Sequence, residues 1–543
     1  MNNSIFVVDY PDNEPVKSYA PGSAERKAVQ AELKRLSSEQ MDIPLIIGGK
    51  EVRTGKTAPV TMPHNHQHVL GHYHMAGEKE VKMAVDAAVK AHKEWSAIPH
   101  VERAFITLRI AEMIATTQRA TINAATMLGQ SKNAFQAEID AACETVDFLR
   151  FNARYSADIY MDQPHSDAGV INRLEYRPLE GFVFSLTPFN FTAIASNLNL
   201  APVLMGNTAL WKPSSTSVFS NYMLMQIFRE AGLPDGVINF IPGKGSTIGN
   251  SVFSNPYFAG LHFTGSSVTF NRVWQTIAEN LPNYKSYPRI VGETGGKDFI
   301  MVHPSAHKDE VATAIVRGAF EFQGQKCSAA SRAYIPKSMW PGIKERIGDM
   351  LSQITVGDVA DFTNFVNAVI DETSFDNIMN YIELARKSPD AEIIFGGKGD
   401  KSKGYFIDPT VIQVTDPHFV TMEEEIFGPV ISIFVYDDDK YEETLRLVDE
   451  TSPYGLTGAI FANDRKAIAL ANEELKYAAG NFYINDKPTG AVVGQQPFGG
   501  SRQSGTNDKA GSMLNLIRWT SPRTVKETLI PARDFKYPFL NKD

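Results

Sequence analysis

Between Glu180 and Lys212 the chain carries no charged residue. A run that long either crosses a bilayer or lies buried inside a protein. Pro188 and Pro202 would break a spanning helix, and Asn190, Asn197, Asn199 and Asn207 would need partners in hydrocarbon. The run therefore reads as strand, turn, helix, strand in the interior of an α/β domain. Its continuation keeps the rhythm: FVFSLTP, a helix, TALWKP, a helix, GVINFIPG, a short helix, then GLHFTGS. Repeated strand–helix units build a parallel, doubly wound sheet.

A second alternation is expected from Arg289, with RIVGE, DFIMVH, a helix over 307–322, RAYIP and a helix over 338–352, running on through Ala459–Ala462 and Gly480–Asn485. This puts a domain boundary near residue 290. Upstream, residues 1–40 form a polar N-terminal extension with a helix over 24–36. Short strands over 44–75 turn at Gly48–Gly49, and helical spacing recurs over 78–97, 101–118 and 134–156. The 543 residues suffice for two or three domains, and no repeat of 20–50 residues suggests a solenoid.

Charge and cysteine content narrow the function classes. With 62 acidic against 53 basic residues, a net charge of −9 offers no footprint for nucleic acid or an anionic membrane. Two cysteines form no disulfide framework, which suits a reducing compartment. The N-terminus lacks a basic segment followed by an apolar core, and the first arginine is Arg26, so a cytoplasmic location is expected.

Several features are weaker than they look. Gly243, Gly245 and Gly249 in PGKGSTIG follow a GxGxxxG spacing, a near-match to the dinucleotide loop GxGxxG. GETGGKD has Asp298 where a phosphate loop needs Ser or Thr. His64, His66, His68, His72 and His74 alternate along a strand without a neighbouring cysteine or carboxylate, which reads as a solvated hairpin before it reads as a metal site. Cys143, in the helical run AEIDAACETVDFLRF, reads as a small buried residue.

Cys327 is different. It lies in FEFQGQKCSAASR between a helix and a strand, where Gly324 permits a tight turn and Ser328 and Ala329 leave room beside the sulfur. A nucleophilic thiol needs such partial exposure and a means of stabilising thiolate; a buried inert thiol is the competing reading. Glu293, in VGETGGK at a strand end, supplies a carboxylate that could act as general base on a thioester. Asn190, in LTPFNFT, could donate its amide to a developing oxyanion or cap a helix. Lys212 in WKPSS stands at a strand end, and FTGSSVT at 263–269 sets small hydroxyl residues at a helix start, a seat for phosphate.

Read in chain order, TPFNF, WKPS, FTGS, ETGGK, FQGQKCSA, EEIFGPV and PFGG resemble the aldehyde dehydrogenase superfamily. GNFYINDKPTGAVVGQQPFGGSRQSGTNDKAG, SPYGLTGAIF and RWTSPRTVKET narrow the resemblance to the delta-1-pyrroline-5-carboxylate dehydrogenases. That resemblance implies an α/β fold with a doubly wound NAD-binding domain (41–156 and 181–289), an α/β catalytic domain (290–485), and a β oligomerisation arm and C-terminal segment (157–180 and 510–540). Cys327 is then the nucleophile, Glu293 the base that activates water, and Asn190 an oxyanion donor. Thr187, Lys212, Gly265, Ser266, Ser267, Val268, Thr269 and Glu425 would bind the cofactor. Ser328 with the backbone of Gly490 and Ala491 would anchor a substrate carboxylate, inside a sleeve of Phe191 and Phe498. Lys326 and Glu144 would pair beside the thiol. The implied cofactor is NAD; Ser215 stands where many NAD-preferring relatives have a carboxylate, so NADP is the weaker alternative. No metal is implied. The implied activity is oxidation of L-glutamate γ-semialdehyde to L-glutamate by a homo-oligomer. Open alternatives are an enzyme for another short semialdehyde, a CoA-acylating enzyme, or a catalytically inactive relative.

Overall fold

In a computed structural model, which describes residues 6–542, two seven-stranded sheets carry the chain. In the first, Arg289–Glu293, Phe258–Thr264, Phe182–Leu186, Thr208–Lys212 and Ile238–Phe240 lie parallel in that spatial order, and Leu45–Ile47 and Lys50–Val52 extend the edge antiparallel. The charge-free run is its centre. Phe182, Val183, Phe184, Ala209, Leu210 and Trp211 are buried there, as continuous apolar strands covered on both faces must be. Pro202 sits in the last turn of the helix Thr192–Leu204, where Asn207 accepts from the Leu179 amide and its own amide donates to the carbonyls of Pro202 and Trp519.

The second sheet has the order Ala391–Phe395, Thr410–Val414, Val430–Tyr436, Ala330–Pro336, Asp298–Val302, Thr457–Phe461 and Asn481–Ile484, parallel except for its first strand. Two expected boundaries need correction. The strand Arg289–Glu293 pairs with Phe258–Thr264, so it closes the first sheet and the second begins at Asp298. Of the short strands before residue 75, only two join the first sheet. Met41–Ile43, Asn65–His74 and Thr57–Met62 make a separate three-stranded sheet.

A two-stranded antiparallel ribbon joins Val170–Pro178 to Thr520–Thr528. Residues 157–161, grouped with this arm from sequence, are instead the end of the helix Thr145–Met161. The expected helix over 134–156 is interrupted by a π-helical segment, Glu138–Glu144, whose buried Asp140 pairs with Lys132 at 2.6 Å. Such bulges re-aim side chains. Here the Asp140 carboxylate accepts from the amides of Thr192 and Ala193, both at 3.0 Å, and so caps the helix that follows Asn190 and Phe191. The histidines of the hairpin have separate partners: His64 meets Ser131, His66 the Lys401 carbonyl, His68 the Ser37 carbonyl and His74 the Asp42 carboxylate. Among the described residues no cluster of three metal-ligating side chains occurs.

Candidate active site

Strand register brings the site together. Leu186 pairs with Lys212, Phe263 with Leu186, and Thr264 with Glu293, so Thr187, Lys212, Gly265 and Glu293 emerge at one edge of the first sheet. That is the carboxyl edge, where open α/β sheets bind ligands. The second sheet supplies residues that precede its strands: Gly295 and Gly296 before Asp298–Val302, Cys327 and Ser328 before Ala330–Pro336, and Glu425 before Val430–Tyr436.

Two cavities meet at the sulfur. One, of about 500 Å³, is lined by Thr187, Asn190, Lys212, Gly265, Ser266, Thr269, Glu425 and Cys327. The other, of about 310 Å³, is lined by Glu293, Phe191, Phe498, Ser328, Gly490, Ala491 and Cys327. Among the described residues Cys327 alone lines both.

The loop holding Cys327 is strained and clamped. Phe322 and Gln323 have left-handed backbone at φ 50° and 55°, a conformation that costs of order 1–3 kcal/mol per residue unless the surroundings impose it. Gln323 supplies the clamp. Its amide donates to the carbonyls of Ser131 and Ala368 at 3.0 and 2.8 Å, and its oxygen accepts from the Asn367 amide at 3.0 Å. Gln325 accepts from the Ile370 amide at 2.9 Å. The Asn190 amide donates to the Gln325 carbonyl at 3.1 Å, two residues from the sulfur, while Phe191 rather than Asn190 stands at the helix start.

The paired glycines of ETGGK open the backbone to the protein's own groups. A Cβ on Gly295 would overlap the Glu425 carboxylate, and one on Gly296 would overlap the Cys327 carbonyl oxygen. Glu425 accepts from the Gly296 amide at 3.0 Å.

Electrostatics divide the roles. Burial, and after it the carboxyls of Glu293, Asp298 and Glu425, push the Cys327 thiol well above its ordinary range, so the resting form is the thiol. Burial raises Glu293 to about 8, with Asp508 adding to the rise and Lys509 opposing it. A carboxylate of that basicity can take a proton near neutral pH. Burial lowers Lys212 to about 8, and among the described residues it forms no ion pair. Ser266 caps the helix Ser267–Glu279, accepting from the Thr269 amide at 3.3 Å.

In the second cavity the Ser328 hydroxyl meets the Thr489 hydroxyl at 2.8 Å. Gly490 has φ +96°, and the amides of Gly490 and Ala491 find no acceptor among the described residues. Adjacent free amides suit a carboxylate. The ring of Phe191 lies 4.0 Å from the buried Lys132 ammonium, which fixes its face.

Three sequence expectations change. Ser267 turns its hydroxyl to Tyr454 at 3.2 Å, and Val268 is 79% exposed, so neither lines the cleft. Lys326 pairs with Glu321 at 3.3 Å rather than with Glu144. Glu144 is half-buried, and desolvation and Asp140 hold its carboxyl well above the ordinary range. The discounted glycines Gly245 and Gly249 line the larger cavity, beside Phe253, Phe263 and Val273. Lys132, Gln323, Asp508 and Lys509 were missed because their roles depend on contacts distant in sequence. Cys143 is buried against Arg119 and Glu138.

Residues 51–525 match the pattern described as the aldehyde dehydrogenase family. A curated relative, the mitochondrial delta-1-pyrroline-5-carboxylate dehydrogenase of Dictyostelium discoideum, is 53% identical over 98% of this chain and 96% of its own. The delta-pyrroline-5-carboxylate dehydrogenase of Mycobacterium tuberculosis bound with NAD is 48% identical, covers both chains fully and superposes with a TM-score of 0.96. The 1-pyrroline-5-carboxylate dehydrogenase from Thermus with bound NAD is 33% identical, with a TM-score of 0.91 over 96% of this chain and all of that one.

Proposed function

The chain belongs to the aldehyde dehydrogenase family, and we propose on that footing the division of labour by which it oxidises L-glutamate γ-semialdehyde, the hydrolysed form of 1-pyrroline-5-carboxylate, to L-glutamate in proline degradation. The observation that carries the reading is the single thiol standing between two cavities of different chemistry.

The larger cavity fits a dinucleotide. It joins an apolar wall (Phe253, Phe263, Val273), a lysine ammonium with no ion-pair partner among the described residues, a helix N-terminus and a carboxylate near the thiol. Lys212 and Glu425 would hold ribose hydroxyls, with Thr187, Gly265, Ser266 and Thr269 along the phosphates. NAD, when bound there, supplies the hydride acceptor. The smaller cavity takes the semialdehyde: Gly490, Ala491 and Ser328 hold its carboxylate, and Phe191 and Phe498 flank its methylenes.

Cys327 gives up its proton to solvent, and the thiolate adds to the aldehyde carbon while Glu293 stays free for the later step. The oxyanion so formed is met by the Asn190 amide, which exchanges its Gln325 partner for it, and by the Cys327 N–H. Loss of hydride from this adduct leaves a thioester on Cys327. Glu293 then takes a proton from water as the water attacks, and L-glutamate departs.

A homo-oligomer is part of the same reading. The ribbon Val170–Pro178/Thr520–Thr528 and the residues after it expose Ile171, Leu529 and Ile530, a surface a second copy would cover; light scattering tests it. Cytoplasmic placement also belongs to it, and cell fractionation decides between that and the mitochondrial location printed in the Dictyostelium relative's name. The reaction itself is tested by NADH formation with pyrroline-5-carboxylate against succinate semialdehyde. A strong preference for the first is expected; equal rates would withdraw the glutamate assignment and leave the catalytic one.

A further inference from the structure

The N-terminal extension runs as irregular chain from Phe6 to Ser18, and what it touches is the substrate cavity's outer shell. Phe6 packs on Phe105, the Val8 carbonyl accepts from Arg154, and Tyr10 packs edge-on against Phe151. Asn13 then makes a three-way junction. Its amide donates to the Asp147 carboxylate and to the Val493 carbonyl, and its oxygen accepts from the Gln495 amide, each at 2.8 Å. Glu14 continues the clamp. Its backbone amide donates to Asp147 at 2.7 Å, and its carboxylate bridges Arg119 and Arg150 at 2.5 and 2.7 Å. Val16 lines the cavity, and the Lys17 amide donates to Glu138 at 2.9 Å.

These contacts join two walls of one cavity. Val493 and Gln495 belong to the loop that begins at Thr489 and carries the free amides of Gly490 and Ala491. Glu138 opens the π-helical segment that turns Asp140 and Glu144 toward the same space. Gly494, at φ +82°, lets this loop bend between its two contacts with Asn13. The loop's own bracing nearby is one turn: the amides of Gln495 and Gln496 donate to the Val492 carbonyl at 3.0 Å, and the Val492 amide donates to the Gln496 side chain at 2.9 Å. Among the described residues only Asn13 ties that turn to the wall opposite by hydrogen bonds.

We propose that the Asn13–Lys17 strap is a wall of the substrate cavity, and that Asn13 is a positioning residue that sets the 489–496 loop for the substrate carboxylate. The inference rests on the semialdehyde reading above. A displaced loop weakens the grip on a carboxylate and leaves Cys327, Glu293 and the cofactor cleft untouched, so the effect falls on KM and on carboxylate-bearing substrates alone.

The test uses the full chain with Asn13→Ala, Gln495→Leu and the double variant, each checked for an unchanged thermal midpoint. Steady-state constants are measured with pyrroline-5-carboxylate and with butanal, an aldehyde without a carboxylate, at saturating NAD. Loss of the Asn13 bonds to the loop is expected to raise KM for the first substrate about tenfold. The turnover number and both butanal constants stay at wild type, and the double variant is no worse than Asn13→Ala. An unchanged KM, or an equal loss on both substrates, overturns the proposal. A wild-type enzyme indifferent between the two aldehydes overturns the semialdehyde reading itself, before any variant is compared.

Discussion

Asp508→Asn probes the base most cleanly, because it changes one charge beside Glu293 and keeps the side chain's shape. Glu293 stands at about 8, raised by burial and by Asp508 and held down by Lys509. A general base acts in its ionised form, so the steady rate after the first turnover follows the ionised fraction of Glu293. With a value near 8, roughly a tenth is ionised at pH 7 and half at pH 8, so the rate climbs about fivefold over that interval. Asp508→Asn removes a like charge and moves the midpoint to lower pH. Lys509→Met removes the opposing cation and moves it to higher pH. The assay is NADH formation from pH 6 to 9 with both substrates saturating, omitting the first turnover. A rate that is flat across this range in the wild type, or midpoints that move the same way in both variants, would refute Glu293 as the titrating base.

Two further substitutions test packing that the chemistry depends on. Gly296→Ala forces a methyl against the Cys327 carbonyl oxygen. Misplacing the sulfur by an ångström costs about a hundredfold in rate, so turnover should collapse to that extent while the circular dichroism spectrum is preserved; near-normal turnover would mean the loop tolerates the shift. Lys132→Met strips Asp140 of its partner in a fully buried pair. Denaturant unfolding should report a loss of about 3–5 kcal/mol, and a loss under about 1 kcal/mol would mean that the amides of Thr192 and Ala193 suffice to hold the charge.

Much of the site was legible because its parts are local. Cys327 with its small neighbours, Glu293 at a strand end and the hydroxyl-rich helix start at Ser266 are each written in a few consecutive residues, and parallel strand register then brings them to one edge. The charge-free run likewise announced a strand buried on both faces. What the sequence hid lies in contacts between distant segments. Arg289–Glu293 looks like the first strand of a new alternation, because nothing local says that its partner is Phe258–Thr264. One exception is local: Lys326 has two acidic neighbours, Glu321 and Glu144, and its pairing with Glu321, five residues away, depends on the turn at Phe322–Gly324. Gly245 and Gly249 fail the dinucleotide spacing yet line the cleft, because here the cofactor edge is built by side chains and helix ends rather than by a glycine loop. The π-helical segment Glu138–Glu144 lies inside the helical spacing read over 134–156, because a single wide turn leaves the apolar positions on either side close enough to one helical pattern to hide the interruption.

The central claim is that Cys327 carries the acyl group that Glu293 releases to water. Intact-protein and peptide mass spectrometry on Glu293→Gln, mixed with NAD and pyrroline-5-carboxylate and quenched in acid, tests it most directly. The account predicts one glutamyl thioester per chain, on the peptide containing Cys327, together with a burst of NADH and slow turnover. An unmodified Cys327 with NADH still forming, or an adduct on Cys143 instead, would contradict it.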